Sequence, residues 1–509
     1  MTAQVRQEAD FSGDGGARIP WRDVRVAVLL FLFLNCVYLL TSTGRVRSMD
    51  EIDPVMQSES LLLRHSTAIP QALNSGVYFG KLDVHGVPRS AWPVGHSILV
   101  LPWSALGHYG LARMAGIPRD IRDLAEETAI CWSNATYAAW AVAAAFLLFL
   151  KLGIERRGAL QCSLLVAFAT PLFVYSGWLY SEPATIAILV TAALLLFGAE
   201  GRAGVGGTVA GALLLGFSIH LRPANTVMAA VFIAAALLTE QRAEQAAGGG
   251  FRYRMTVTLA AVMALSGALY LARNHALFGN MLDFGVPTTA EGGKDLDSWH
   301  NPVLVGVFGF LFSPGKSALL FCPTIVLGMM GLPRLWRRRR GLAVVCGGAA
   351  LVNLIFYSFR TQWEGGYCWG PRYLVPSLVL LTLPAAMLFE DRPKWLTKAF
   401  WTSAALGFAV QALGLATNIV EDMVGNRYFV GNWDYRMSYS PLTGQLKLIW
   451  KYLHVEGTLG LGWDRWFVFL RAAGASAGTV MAIVAAFALG AAVFGGLLWK
   501  EARQPISRP

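Results

Sequence analysis

The stretch Val24-Arg-Val-Ala-Val-Leu-Leu-Phe-Leu-Phe-Leu-Asn-Cys-Val-Tyr-Leu-Leu40, followed shortly by Ser48-Met-Asp-Glu-Ile-Asp-Pro54, decides how this chain is read. The first part is apolar and close to the ~20 helical residues needed to cross a hydrocarbon core. The second sets three carboxylates, Asp50, Glu51 and Asp53, just beyond its end. An ionised side chain inside hydrocarbon costs roughly 2.5–3.5 kcal/mol, so an acidic cluster at a membrane boundary marks a candidate functional site. In a helix starting here, Asp50 and Asp53 share a face at i,i+3 while Glu51 points elsewhere. The run also reads as an acidic first turn, capped by Ser48, that complements the helix dipole.

The rest of the chain repeats the first pattern. Of its 509 residues 55% are hydrophobic and only 14% charged, with mean hydropathy +0.48. Soluble domains carry about 25% charged residues, so the class is an all-α polytopic membrane protein. Apolar segments at 24–42, 132–150, 158–177, 184–199, 205–219, 225–239, 255–272, 316–333, 341–357, 374–389, 399–417 and 474–499 predict a bundle of about twelve transmembrane helices. The first segment has no small-residue cleavage site behind it and reads as a retained helix. The expected organisation is a tail at 1–23, a membrane domain at 24–499 and a second tail at 500–509.

Net charge is +11 and the pI about 9.5, but the positions of the basic residues matter more than their sum. About half of the 42 Lys and Arg fall in the tails and in the connections near 151–157, 200–204, 240–254, 334–340 and 390–398. The positive-inside rule then places both termini in the cytoplasm of a bacterial-type cytoplasmic membrane. Arg337 to Arg340 is read as a topology anchor, and no nucleic-acid partner is expected. The large loops, 43–131, 273–315 and 418–473, fall outside. Six cysteines show no metal spacing and no zinc, iron–sulfur or haem signal; Cys131 and Cys368 lie nearest the outer side. Gly309 to Ser317 has one residue too many and an internal Pro for a phosphate-binding P-loop. Asn134-Ala-Thr136 matches a glycosylation sequon but lies inside an apolar span.

Loop one carries its own structure. Residues 51–65 predict an amphipathic helix, Gly86 to Gly95 a Pro/Gly turn, and 96–106 a helix lying in the membrane interface. Its Ile98, Leu99, Leu101 and Trp103 would meet lipid, with His96 and Arg89 near a head group. No internal repeat is visible, and the polar mass is lopsided towards one face. Both features argue against a symmetric transporter.

This arrangement resembles the GT-C-type glycosyltransferases, polytopic enzymes that take a sugar from a polyprenyl-phosphate carrier on the non-cytoplasmic side. Asp50-Glu51 after span one resembles the acidic pair of the protein mannosyltransferases and lipid A aminoarabinose transferases (glycosyltransferase family 39-like). Pro93, Gly95 and Pro102 lie in a Pro/Gly-rich stretch similar to the one before an interfacial helix in such enzymes. Tyr180-Ser-Glu-Pro183, Leu221-Arg-Pro223, Phe278-Gly-Asn280, Ser313-Pro-Gly315 and Trp363-Glu-Gly-Gly-Tyr-Cys-Trp-Gly-Pro-Arg-Tyr373 look like motifs of bacterial members. Asp53-Pro54 departs from that pattern and leaves open which carboxylate is the base.

The resemblance implies transfer of a sugar from a polyprenyl-phosphate donor to a glycan, lipid or protein acceptor at the outer face. Such chemistry needs a base for the acceptor hydroxyl and cations for the phosphate. Asp50 is the expected base, with Glu51 orienting it or the sugar. No cofactor is expected, apart from a divalent cation at the acidic pair, which some members of the fold use and others do not. Arg372, Arg360, Arg222 and Arg273, then Lys316 and Arg89, are candidate phosphate partners; each also reads as a snorkelling or ion-paired residue. Glu182 is either a functional carboxylate or a first-turn helix acid. Trp363, Tyr367 and Trp369 are candidates for stacking on sugar rings or for an interfacial aromatic belt. A transporter or flippase of lipid-linked sugars and an O-antigen ligase or polymerase are the alternatives.

Overall fold

The computed structural model describes residues 20–75, 80–198, 203–247, 253–285, 299–389, 393–427, 433–454 and 463–503. Each predicted apolar span coincides with helix over most of its length, and sheet is confined to one short hairpin among the described residues. Among the described residues, seven helices are long and apolar enough to cross a membrane: Trp21–Thr41, Arg119–Lys151, Arg254–Phe278, Arg340–Ser358, Arg372–Phe389, Lys394–Ala416 and Ala477–Arg503. Glu182–Phe197, Val205–Leu221 and Val303–Phe312 are shorter apolar helices.

Two predicted spans are interrupted. The one at 158–177 is the helix Arg156–Ala169, a break, and a single turn at Leu172–Tyr175. Pro171 lacks an amide hydrogen and pushes Thr170 into extended backbone, at φ −118° and ψ 163°. The one at 316–333 is a turn at Ala318–Phe321 and then the helix Ile325–Arg338. The segment read as outer loop 273–315 contains the end of one helix, to Phe278, and the whole of Val303–Phe312. Pro302 starts that helix and Ser313-Pro-Gly315 stops it.

Burial separates bundle interior from bilayer face. Arg372–Phe389 is 94% buried over its apolar window and forms the centre; Ala477–Arg503 is 6% buried and lies at the edge. Edge residues such as Leu304 (81% exposed) and Leu489 (65%) would forfeit about 25 cal/mol per Å² in water, so this apolar face suits lipid.

Ion pairs and backbone bonds define the two ends of the bundle. Arg22 and Arg25, in the first turns of the first helix, pair with Glu501 near the end of the last, at 3.3 and 3.4 Å. Asp23 pairs with Arg156 at 2.7 Å, and Arg338 donates to the Leu152 carbonyl. Both helical termini and two of the basic connections therefore share one end.

At the other end, Ser48 caps the helix Met49–Arg64 in a reciprocal box with Glu51. Antiparallel strands Gly80–Leu82 and Pro88–Ser90 follow, joined through Gly86 at φ 75°. The helix Val94–Tyr109 comes next and packs against Met49–Arg64 and against Val205–Leu221. Gly95 permits this docking: a Cβ there would lie 2.4 Å from the His220 carbonyl oxygen. The hairpin is a feature that the Pro/Gly composition of 86–95 concealed.

Candidate active site

Five segments of this end meet around one narrow cleft, a cavity of only about 20 Å³ that comes to about 350 Å³ with its open mouth included. The acidic helix contributes Asp50 and Pro54; the segment leading into Val94–Tyr109 and its first turn contribute Trp92 and His96. Tyr180 and Ser181 precede the helix Glu182–Phe197, and Leu221 and Arg222 end Val205–Leu221. Arg372, at the start of the central span, completes the wall. Its approach depends on Gly370, which sits at φ 59° with the Phe321 ring where a Cβ would be.

Arg372 links the carboxylates. Its Nη1 pairs with Asp50, its Nε donates to Glu182 Oε1 at 3.0 Å, and its guanidinium lies 3.6 Å from the centre of the Tyr180 ring. Arg222 Nη1 donates to the same Glu182 oxygen at 2.9 Å. Arg222 also lies over Tyr373, at 4.8 Å, and Tyr373 stacks on Tyr357 at 4.5 Å. Arg360 bonds the Tyr373 hydroxyl and covers the same ring at 4.9 Å. Two guanidinium groups thus converge on Asp50 and Glu182, with Arg360 behind Tyr373, a grouping suited to an anionic ligand.

Two polar atoms, one beside this wall and one on a residue that lines it, lack a hydrogen-bond partner. One is Oε2 of Glu182, a residue with no solvent exposure; the other is Nε2 of His96, which is 4% exposed. Burial, helped by nearby Arg372 and opposed by Glu182, lowers the His96 pKa to about 4, so the ring is neutral at pH 7.

The acidic cluster divides by environment. Asp50 keeps 28% side-chain exposure and faces the cavity. Glu51 has none: Oε1 accepts from the Leu179 amide at 2.8 Å, and Oε2 from the Arg47 and Ser48 amides at 2.8 and 3.1 Å. Burial raises its pKa against the pull of Arg47 and those amides. Asp53 is 1% exposed and accepts from the Ser90 hydroxyl at 2.7 Å, holding the hairpin to the acidic helix. Glu51 and Asp53 serve as braces, and the sharing of one face by Asp50 and Asp53 does not carry through to the cavity.

Other candidates lie elsewhere. Arg89 pairs with Asp83 at 2.8 Å and donates to Thr67; burial opposes ionisation of Asp83, but the Val87 and His85 amides and Arg89 prevail and lower its pKa. Arg273 donates to Asn274 and does not line the cavity. Lys316 is fully buried, with Nζ on the Gly366 and Cys368 carbonyls at 2.8 and 3.1 Å. Trp363 packs edge-on against Phe310, and Trp369, with no exposure, packs on Phe321 and Gly414. Tyr367 is half-buried against the main core. These three rings hold loops together and do not form the cavity wall. None of the six cysteines forms a disulfide. Among the described residues, no three His, Cys, Asp or Glu side chains gather at metal-ligating spacing.

Tyr180, Trp92 and Ser181 are wall residues that the sequence reading did not single out. Tyr180 and Ser181 immediately precede Glu182 in the quoted motif, which was the available signal. Nothing in sequence marks Trp92 beyond its place before Pro93. Asn134, set aside as a sequon, is buried and donates to the Tyr180 carbonyl at 2.6 Å, fixing the turn that presents the ring.

No protein-family profile matches this sequence, and no curated protein matches it. Solved structures share a loose likeness of fold. ArnT from Cupriavidus metallidurans, bound to undecaprenyl phosphate, is 16% identical with TM-score 0.45, over 96% of this chain and 78% of that one. The Archaeoglobus fulgidus oligosaccharyltransferase in its apo form is 11% identical with TM-score 0.46, over 83% and 61%. AglB of the same organism, in complex with an inhibitory peptide and a dolichol-phosphate, is 11% identical with TM-score 0.43, over 78% and 55%.

Proposed function

We propose that this chain is a GT-C-type glycosyltransferase that moves a sugar from a polyprenyl-phosphate carrier to an acceptor at the outer face of the cytoplasmic membrane. One observation carries the reading: at one end of an apolar bundle, a half-exposed carboxylate and paired guanidinium groups face the same cavity. A lipid phosphate needs that place, because its chain must stay in hydrocarbon while its head group reaches polar partners.

The acceptor hydroxyl attacks the anomeric carbon of the donor sugar. The carbon–oxygen bond to phosphate breaks, and polyprenyl phosphate departs with the bonding electron pair. Asp50 takes the acceptor's proton, and Arg372 and Arg222 balance the phosphate charge. In the structure Arg372 holds Asp50. A donor phosphate competes for that guanidinium and releases Asp50 to act as base. Glu182 keeps both arginines aimed, through a single oxygen.

The test is turnover by the purified full-length protein in lipid nanodiscs, given a panel of synthetic polyprenyl-phosphate sugars and envelope glycans or glycolipids as acceptors. Release of polyprenyl phosphate with sugar-labelled acceptor, abolished by Asp50→Asn, is expected. A protein that moves lipid-linked sugar across proteoliposome membranes without cleaving it would be a flippase, and the proposal would fall. A parallel series with chelator and added divalent ions tells whether a cation takes part.

A further inference from the structure

Two unpartnered atoms at the cavity, Glu182 Oε2 and His96 Nε2, are not used by the phosphate chemistry. Glu182 spends Oε1 on both arginines and leaves Oε2 without a partner; His96, a lining residue, leaves Nε2 buried just behind the cavity surface without a partner. A buried polar atom without a partner is costly, and a ligand that supplies the missing bond is favoured by the same amount. We propose that His96 Nε2 hydrogen-bonds one hydroxyl of the donor's sugar, and that the cavity accepts a neutral sugar in preference to one bearing an ammonium group. This rests on the glycosyltransferase reading and names the class of sugar it would use.

A hydroxyl fits whichever tautomer His96 adopts, because it both donates and accepts; an ammonium only donates. The surrounding charge points the same way. Arg372 and Arg222 line the cavity and Arg360 lies behind Tyr373, so a further cation meets like charge. Glu182 is committed to Arg372 and Arg222 through Oε1, and Asp50, once the donor phosphate takes Arg372, serves the acceptor hydroxyl and not the donor's sugar. His96 is held in place by its helix: Gly95 abuts the His220 backbone, and Ser97 donates to Gln57 at 2.7 Å. The ring therefore cannot easily withdraw from the space a sugar would enter.

The experiment measures kcat/KM with matched polyprenyl-phosphate donors: a neutral sugar, its monodeoxy analogues at each ring position, and analogues with an amino group at those positions. For the wild-type protein, one deoxy position should lose about 5- to 100-fold, the penalty range for leaving a buried partner unpaired. The amino analogue at that position should be no better than the deoxy compound. In His96→Phe the hydroxyl and deoxy donors should become equivalent, while His96→Gln, which can still hydrogen-bond, should keep part of the difference. Equal use of all deoxy donors by the wild type, a discrimination unchanged in His96→Phe, or preference for an amino sugar would each overturn the proposal. If His96→Phe does not fold, the wild-type and His96→Gln profiles decide alone. Absence of transfer from every donor instead removes the glycosyltransferase reading, and this inference with it.

Discussion

Asp50 and Glu51 are chain neighbours with opposite circumstances, and substituting each separates chemistry from architecture. Asp50→Asn keeps the shape at the cavity and removes the base, so turnover should fall about 10²–10⁴-fold with little change in thermal stability. Glu51→Gln turns an NH₂ group toward amides that need acceptors, and should cost about 1–3 kcal/mol, read as a lower Tm. A thermally stable Glu51→Gln would show that its carboxylate is not the brace its bonds indicate. Arg372→Lys keeps the charge, but one ammonium cannot pair with Asp50, bond Glu182 and lie flat on Tyr180 together. About a tenfold or greater loss in kcat/KM at limiting donor is expected, about 1.4 kcal/mol of transition-state stabilisation; wild-type kinetics would make Arg372 structural. His96 gives a pH signature. Its folded pKa of about 4 lies below the unfolded value of about 6.5, so in that window the unfolded chain binds a proton the native one does not. Stability should therefore decline as pH falls from about 6.5 towards 4, by up to roughly 3 kcal/mol. His96→Gln should flatten that part of the Tm–pH curve; an unchanged slope would assign the acid sensitivity to other groups.

At the scale of elements, the site depends on how two loop-one helices dock. Met49–Arg64 presents Asp50 because Glu51 ties its first turn to Leu179 and Asp53 ties it to the hairpin at Ser90. Pro54 removes the amide that would bond the Asp50 carbonyl in a regular helix, and it lines the cavity itself. Val94–Tyr109 delivers His96 only because Gly95 has no side chain where it meets the His220 carbonyl. Gly95→Val should force the helices apart, cost about 1–3 kcal/mol from overpacking, and lower activity by displacing His96 and Arg222 together. Normal Tm and normal turnover in Gly95→Val would mean that the docking is looser than these contacts imply. The amphipathic pattern of 51–65 and the apolar run at 96–106 made both helices legible in sequence. Their mutual docking was not, since it turns on a single backbone contact between residues more than 120 positions apart.

For the whole molecule, the sidedness of the bundle is the main expectation carried over from charge. Arg22, Arg25, Asp23, Arg156, Arg338 and Glu501 gather at one end, and the cavity lies among the segments at the other. Cysteines placed at Leu73 and Met281, both exposed, should react in intact cells with a thiol reagent that cannot cross membranes. A cysteine at Arg337 should stay protected until the membrane is opened. The reverse pattern would invert the topology and move the cavity to the cytoplasmic face.

The sequence alone determined the membrane class, the helical character and the candidate end of the bundle, because these follow from local quantities: apolar run length, charge density and the acidic cluster after the first span. It also ranked Asp50, Glu182, Arg222 and Arg372 among the residues of interest. Only the tertiary structure decided which members of each group meet. Asp50 faces the cavity while Glu51 and Asp53 turn into braces, a split set by amide and hydroxyl partners far along the chain. Arg222 and Arg372 share one oxygen of Glu182, whereas Arg89 and Lys316 are taken up by Asp83 and by loop carbonyls. Trp92 and Tyr180 gain their place from long-range docking and from hydrogen bonds to Ser90 and Asn134. A side chain's charge is written in the sequence, but its partner is fixed by long-range packing, and the partner decides whether that charge braces the fold or stays available to a ligand.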